Sequence, residues 1–222
     1  VEILIPSKDH VDVLDRCVRS ILEKSAYGNY RITVIENNSM EDETFAYYRE
    51  LEARSDRVRV IEWPHGFNYA KIMNFGAAST DADLLLLLNN DTAVAPDMLE
   101  TLLRETPAGA VSCPKMLFMN PPDEIWFAGG TLDPATGKVK HLGGHAKDGP
   151  AFAQKQQVSF ITFCCVLLPR AVIEQVGYLD ETLFMYCEDV DYCIRLGQAG
   201  VPLWFLPDAK LWHKAGGSAG GM

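Results

Sequence analysis

Five consecutive leucines, Leu84 to Leu88, run directly into Asn89-Asn90-Asp91. An unbroken apolar run of this length, closed by polar residues, reads as a central strand buried on both faces, the pattern of a parallel α/β sheet. Ligands of such sheets gather beyond the carboxyl ends of the strands, where strand order reverses. A carboxylate and two amides at that place suit a hydrated metal ion or a phosphate-bearing ligand, because aspartate oxygen is a hard donor for Mg²⁺ or Mn²⁺. The same triplet also suits a plain turn. Taken alone, it leaves both readings open.

The segments before it fit the same sheet. Glu2-Ile3-Leu4-Ile5-Pro6 reads as a first strand stopped by proline. Val11 to Lys24 follows with Val11, Leu14, Val18, Ile21 and Leu22 at helical spacing, and Asp9 is the expected N-cap. A strand at Arg31 to Ile35, a polar helix from about Glu41 to Arg54, a strand at Val58 to Glu62 and a helix at Asn68 to Ala78 complete a β-α-β-α-β-α-β order. That order implies parallel strands joined by right-handed crossovers. The strand ends Ser7-Lys8-Asp9, Glu36-Asn37-Asn38 and Asn89-Asn90-Asp91 should then line one sheet edge, where a nucleotide would sit. No GxGxxG follows the first strand, which argues against a dinucleotide site.

Beyond Asp97 the pattern loosens. Met98 to Arg104 reads as a short helix, Ala110 to Leu117 as a strand, and Ile125 to His141 as hairpin-rich. The polar, Gly-rich stretch from Gly143 to Gln157 is expected to be a mobile loop over the site. Val158 to Leu168 reads as one buried strand, Arg170 to Val176 as a helix, and Leu203 to Pro207 as a short strand leading through Ala209 to Trp212 towards His213. Nothing marks a second domain, so residues 1–222 are read as one.

A net charge of −10 argues against nucleic acid as a partner. It leaves room for an anionic nucleotide if a metal supplies local positive charge. No apolar run approaches the roughly 18 to 20 residues that span a bilayer, and no signal peptide is evident. The chain opens inside a strand without Met, so flanking segments, a membrane anchor among them, are expected outside it. The six cysteines form no CxxC pair, which favours free thiols in a reducing compartment. A zinc site from Cys187, Cys193 and His213 does not fit the usual ligand spacing.

A second constellation lies at Phe184-Met185-Tyr186-Cys187-Glu188-Asp189-Val190-Asp191. Acids in a first helical turn are favoured by the helix dipole, and Asp191 with Arg195 forms a bracing i,i+4 pair. A carboxylate held against aromatic groups also has its proton affinity raised, which suits a general base. His213, after an apolar stretch, reads equally as structural or as a metal ligand.

With these residues in place, the chain resembles the family 2 glycosyltransferases of the GT-A fold, especially rhamnosyltransferase-like and galactofuranosyltransferase-like members. The resemblance spans essentially the whole chain. It rests on Ile5-Pro6-Ser7-Lys8-Asp9, Val34-Ile35-Glu36-Asn37-Asn38-Ser39, Gly66-Phe67-Asn68 with Asn74-Phe75-Gly76, Leu88-Asn89-Asn90-Asp91 and Trp126-Phe127-Ala128-Gly129-Gly130. Its most specific part runs from Gly177-Tyr178-Leu179-Asp180-Glu181 through Phe184-Met185-Tyr186-Cys187-Glu188-Asp189-Val190-Asp191 to Pro207-Asp208-Ala209 and Trp212-His213. It implies an α/β fold with a Rossmann-like mixed, mainly parallel sheet flanked by helices, and within the one domain a nucleotide-binding half (1–97) and an acceptor-binding half (98–222).

It further implies an inverting, metal-dependent transfer from a nucleoside-diphosphate sugar, dTDP-rhamnose or a UDP-sugar, to a glycan or lipid-linked acceptor in cell-surface polysaccharide synthesis. The setting would be cytoplasmic, with peripheral association at the membrane's inner face through segments outside this chain. On the family's pattern Pro6, Ser7, Asp9, Glu36 and Asn38 would hold base and ribose. Lys71 and Asn74 would approach the diphosphate or ribose side, and Asn89 and Asn90 would bond ribose or phosphate oxygens. Asp91 and His213 would bind Mg²⁺ or Mn²⁺, with an amide at Asn89 where relatives often carry an acid. Asp189 would be the base, supported by Glu188 and Asp191, while Trp126, Gly129 and Gly130 would line the acceptor or sugar pocket. The rival readings are a sugar nucleotidyltransferase, which would want a basic Gly-rich loop after the first strand, and a non-catalytic nucleotide- or glycan-binding module.

Overall fold

The computed structural model describes residues 1–215; the Gly/Ser-rich end from Gly216 lies outside the described residues. In chain order the elements are β1 (Glu2–Ser7), α1 (Val11–Leu22), β2 (Arg31–Glu36), α2 (Asp42–Arg54), β3 (Val58–Glu62), α3 (Tyr69–Ala78), β4 (Leu84–Leu88), β5 (Thr92–Val94) and α4 (Met98–Glu105). They continue with β6 (Val111–Phe118), β7 (Ile125–Phe127), β8 (Gly130–Asp133), β9 (Lys138–His141), β10 (Gln156–Val158), β11 (Cys165–Pro169), α5 (Arg170–Val176), α6 (Glu188–Gln198) and β12 (Leu203–His213).

The main path through the sheet runs β10-β12-β6-β11-β4-β1-β2-β3, with β5 added on β12 and β7 on β6. Strands β4, β1, β2 and β3 are parallel; β11 inserts antiparallel between β4 and β6. The expected mixed, mainly parallel α/β sheet is therefore present. The leucine strand lies between β1 and β11, and Leu85 to Leu88 are all buried. Strand order reverses between β1 and β4, so Ser7 and the Asn89-Asn90-Asp91 triplet flank the switch point.

Helix α3 lies close against the sheet because Gly76 has no side chain: a Cβ there would come within 2.4 Å of Ile35 Cδ1. The start of α3 is thereby held at the carboxyl edge. At the opposite, amino edge Glu2 is fully buried and bonded by Arg31 Nε (3.1 Å), Thr80 Oγ1 (3.2 Å) and the Thr33 hydroxyl, with an Arg59 guanidinium nitrogen at 3.3 Å.

Four expectations are corrected. Asp9 does not cap α1, whose N-cap is His10; its carboxylate accepts from Met40 N (2.8 Å) and Glu41 N (3.1 Å), tying the β1 end to the start of α2. The stretch from Val158 to Leu168 is not one strand: β10 ends at Val158 and β11 begins at Cys165, and the backbone between turns aside to bond side chains of α3 and α6. The short strand at Leu203 is instead the first part of an eleven-residue strand. A bulge between Leu206 and Lys210 absorbs Pro207 while both halves stay paired with β6.

Finally, the stretch from Gly143 to Gln157 is strapped down at successive points. His145 meets Glu124 at 2.7 Å, Lys147 meets Asp123 at 3.0 Å, and Asp148 bridges buried Lys115 (2.6 Å) and Lys210 (2.9 Å). Burial pushes the Asp148 carboxyl up, but the two lysines outweigh it and pull it below its ordinary range.

Candidate active site

At the switch point Asp91 is buried and its Oδ1 lies 3.2 Å from His213 Nε2. The pairing of β5 with β12, which sets Thr92 opposite His213, brings together two residues that are 122 positions apart in sequence. Lys214 N donates to Asp91 O at 2.9 Å and fixes the junction. Asp91 Oδ1 and His213 Nδ1 are both buried without a well-formed hydrogen bond. Buried polar atoms are almost always satisfied, so each such orphan needs an explanation. An imidazole nitrogen beside a carboxylate oxygen is a donor pair that Mn²⁺ or Mg²⁺ accepts. Among the described residues no third His, Cys, Asp or Glu joins them. The Trp126 ring stands edge-on to His213, centroids 4.3 Å apart, and walls one side.

The acidic constellation opens α6. Glu188 and Asp189 occupy its first turn after Tyr186 and Cys187, whose φ angles of 65° and 69° lie in the left-handed region. Two adjacent non-glycine residues in that region cost about 1–2 kcal/mol each, and strain of this kind collects at functional sites. Burial, then the neighbouring charge of Glu188, raises the Asp189 carboxyl from 3.8 to about 6, against the N–H groups of Val190 and Phe163 that favour its ionised form. Burial also raises Glu188, and its Oε2 is enclosed without a hydrogen-bond partner. Asp191 turns away to Arg195, both guanidinium contacts being 2.8 Å.

The irregular segment before β11 joins the two acidic centres. Asn89 N donates to Cys164 O (2.9 Å), while the adjacent Phe163 lies beside Asp189 and accepts from Tyr69 Oη at 2.9 Å. Asp189 and the Asn89-Asn90-Asp91 triplet thus flank consecutive residues of one segment. Composition and spacing gave no sign of this segment or of Tyr69.

The remaining expected residues divide into free and committed groups. Ser7 Oγ and Asn90 Nδ2 are a loose 3.5 Å apart at the switch point, and Pro6 and Asn89 are half-buried beside them. Glu36 is buried, its carboxylate accepting from Ser39 N (2.5 Å), Ser39 Oγ (2.6 Å) and Tyr48 Oη (2.6 Å). Asn38 donates to His65 O at 2.6 Å. Asn74 clamps the segment before α6, donating to Leu179 O and Glu181 Oε1 and accepting from Leu179 N, each at 3.0 Å. Lys71 is half-buried in the first turn of α3, its backbone N–H capped by Asn68 Oδ1 at 2.9 Å. Gly129 and Gly130 are packing positions, where a Cβ would come within 2.9 Å of Val158 and 2.8 Å of Phe160.

Comparison with known proteins now decides the kinship. Residues 2–177 match the model of the Glycosyl transferase family 2, well over half of the chain. The chain belongs to that family. Asp189 and His213 lie beyond the matched span, but this family 2 domain is also 33% identical over 224 residues to the O-antigen biosynthesis protein RfbC of Myxococcus xanthus. That match covers 96% of the chain and 17% of the relative, so the domain spans about a sixth of that protein's length.

A shorter stretch of 66 residues is 39% identical to the N-acetylglucosaminyl-diphospho-decaprenol L-rhamnosyltransferase of Mycobacterium tuberculosis, covering 30% of the chain and 22% of that enzyme. Among solved structures, GalNAc-T7 with UDP, GalNAc and Mn²⁺ superposes with a TM-score of 0.75 at 16% identity, covering 96% of this chain and 42% of that one. The likeness is one of fold, the GT-A fold. Among the described residues no helix is long and apolar enough to cross a membrane.

Proposed function

We propose that this family 2 domain transfers a sugar from a nucleoside-diphosphate donor to an acceptor hydroxyl, with inversion at the anomeric carbon, in the synthesis of a bacterial surface polysaccharide. One observation carries the reading: a desolvated carboxylate, Asp189, lies beside Phe163, and the next residue, Cys164, is bonded to the strand-end triplet whose Asp91 forms an unsatisfied carboxylate–imidazole pair with His213. The solved neighbour with UDP and Mn²⁺, together with the rhamnosyltransferase and O-antigen relatives, supports the donor class and makes dTDP-rhamnose the first donor to test.

Asp189 takes the proton from the acceptor hydroxyl as that oxygen bonds to the anomeric carbon. The bond from that carbon to the diphosphate oxygen breaks, and its electron pair leaves on the nucleoside diphosphate. Attack on the face opposite the leaving group inverts the centre. Asp91 and His213 would hold Mn²⁺ or Mg²⁺, which supplies Lewis-acid stabilisation of charge on the departing diphosphate.

Ser7, Pro6, Asn89 and Asn90 face the nucleotide, which residues 1–97 mainly hold, while residues 98–222 mainly hold the acceptor. Glu36, Asn38 and Asn74 act one step back, by fixing the loops that carry the contacting groups. Asp9 acts likewise through the β1–α2 junction. Asp191 steadies α6 through Arg195, and Trp126, Gly129 and Gly130 shape the wall beside His213.

Calorimetry with UDP, GDP and dTDP in the presence of Mn²⁺ tests the reading. One nucleoside diphosphate should bind, and binding should fall when Mn²⁺ is removed with EDTA. A protein that binds none of the three is not this transferase.

A further inference from the structure

Six large hydrophobic side chains are conspicuously exposed among the described residues, and two of them, Phe184 at 63% and Tyr186 at 60%, sit just ahead of the Glu188-Asp189 pair. Phe67, 43% exposed, joins them from the loop before α3, its ring edge-on to Phe184 with centroids 5.9 Å apart. This patch is built, not incidental. Asn68 caps α3 and donates its Nδ2 to Glu181 O (3.2 Å) and Leu183 O (3.0 Å), so the loop bearing Phe67 and the segment bearing Phe184 are one unit. The left-handed backbone at Tyr186 and Cys187 then fixes how the second aromatic meets the helix start.

Exposed apolar surface at the mouth of a site marks what the site binds. The surrounding charge selects the occupant. From Gly177 to Leu196 the chain carries Asp180, Glu181, Glu188, Asp189 and Asp191 against a single cation, Arg195, which is committed to Asp191. Such a rim repels phosphorylated polymers and anionic lipid. It suits a neutral polyhydroxylated ring, whose C–H face lies on aromatic surface while its hydroxyls donate to carboxylates. The Glu188 carboxylate is only partly buried and has one oxygen without a partner, so it has capacity for such a donor.

We propose that Phe67, Phe184 and Tyr186 are the acceptor platform of the transferase. An uncharged sugar ring rests its apolar face on them, donates one hydroxyl to the Glu188 carboxylate, and presents a second hydroxyl to Asp189. The proposal rests on the transferase reading above and adds the acceptor class: the terminal neutral sugar of a glycan.

The test is saturation-transfer NMR in Mg²⁺ and dTDP or UDP, with methyl α-L-rhamnopyranoside, methyl β-D-galactopyranoside and methyl β-D-glucopyranoside as probes. A parallel arm measures co-sedimentation with phosphatidylglycerol and phosphatidylcholine vesicles. At least one glycoside should receive saturation on one ring face. The double change Phe184→Ala, Tyr186→Ala should weaken that binding by roughly tenfold, the scale of two lost aromatic contacts. Tyr186→Phe, which keeps the ring, should retain it, separating stacking from a folding defect.

Wild-type protein that binds nucleotide but no glycoside, or glycoside binding indifferent to the double change, overturns the platform alone. So does vesicle binding that depends on Phe184 and Tyr186 in place of glycoside binding. Wild-type protein that binds none of UDP, GDP or dTDP breaks the transferase reading, and the platform's role falls with it.

Discussion

Glu2 and Asp91 are both buried carboxylates, one at each end of the same parallel strands, and they are treated in opposite ways. Glu2 opens β1 at the amino edge and is surrounded by two arginines and two threonine hydroxyls. Asp91 follows β4 at the carboxyl edge, and its Oδ1 has only an imidazole nitrogen at 3.2 Å and no well-formed hydrogen bond. A closed polar network strengthens a fold, whereas an open one costs stability until something completes it. Both acids are equally out of water, so burial alone does not separate a structural carboxylate from a functional one. The count of remaining partners does. Glu188 falls on the open side with Asp91, Glu36, saturated by Ser39 and Tyr48, falls on the closed side with Glu2, and Asp189, bonded by Val190 N at 2.8 Å, lies between them.

Four measurements would break or sharpen this division. The largest effect belongs to Asp189→Asn, which should lower sugar transfer by about 10²- to 10⁴-fold, the usual contribution of a positioned base, with nucleotide affinity unchanged by calorimetry. Near-normal turnover would remove Asp189 from the chemistry. Next, Glu2→Ala should cost about 2–4 kcal/mol in urea unfolding, because it strands the arginine and hydroxyl donors around it; a loss below 1 kcal/mol would show that the amino-edge network is not what holds that end.

The open counterpart, Asp91→Asn, should leave the urea midpoint within about 1 kcal/mol of wild type. Its cost should appear as roughly ten- to hundredfold weaker nucleotide binding with Mn²⁺, the scale of one lost charged contact. Equal affinity with and without the substitution would close the case against that site.

The fourth effect depends on pH. The Asp189 carboxyl titrates near 6 when folded, against an ordinary value of 3.8, so the folded protein holds more protons between those limits. Its favourable contribution is complete below the lower value and is lost as pH rises through 6. Transfer activity should therefore rise with an inflection near pH 6. Asp189→Asn should be more stable than wild type by about 1–3 kcal/mol at pH 7, with the gap closing towards pH 4. An identical stability difference at both pH values would mean that Asp189 is not desolvated.

The sheet was legible because its strands are apolar runs with polar ends: the leucine strand, β1 and β2 all lie where hydropathy places them. What was not legible depended on contacts between distant residues. Asp9 has the chemistry of an N-cap for α1, yet its oxygen reaches amides some thirty residues on. Asn74 reads as a free amide near diphosphate or ribose, but its partners lie more than a hundred residues away. Pro207 reads as a strand end, and only pairing with β6 on both sides of the bulge reveals a continuous β12. The break between Val158 and Cys165 was hidden because its residues are as apolar as a strand, while their carbonyls serve Tyr69 and Cys193.

The cysteines offer a consequence of a different kind. Five of the six are buried, and Cys187 alone is exposed. Burial pushes the thiols of Cys17, Cys113, Cys164, Cys165 and Cys193 well up, which leaves them slow towards alkylating reagents. Cys187 directly precedes Glu188 at the start of α6. A maleimide dye added to the unmodified protein would therefore label one position, next to the acids, and could report acceptor arrival by fluorescence without any engineered attachment point.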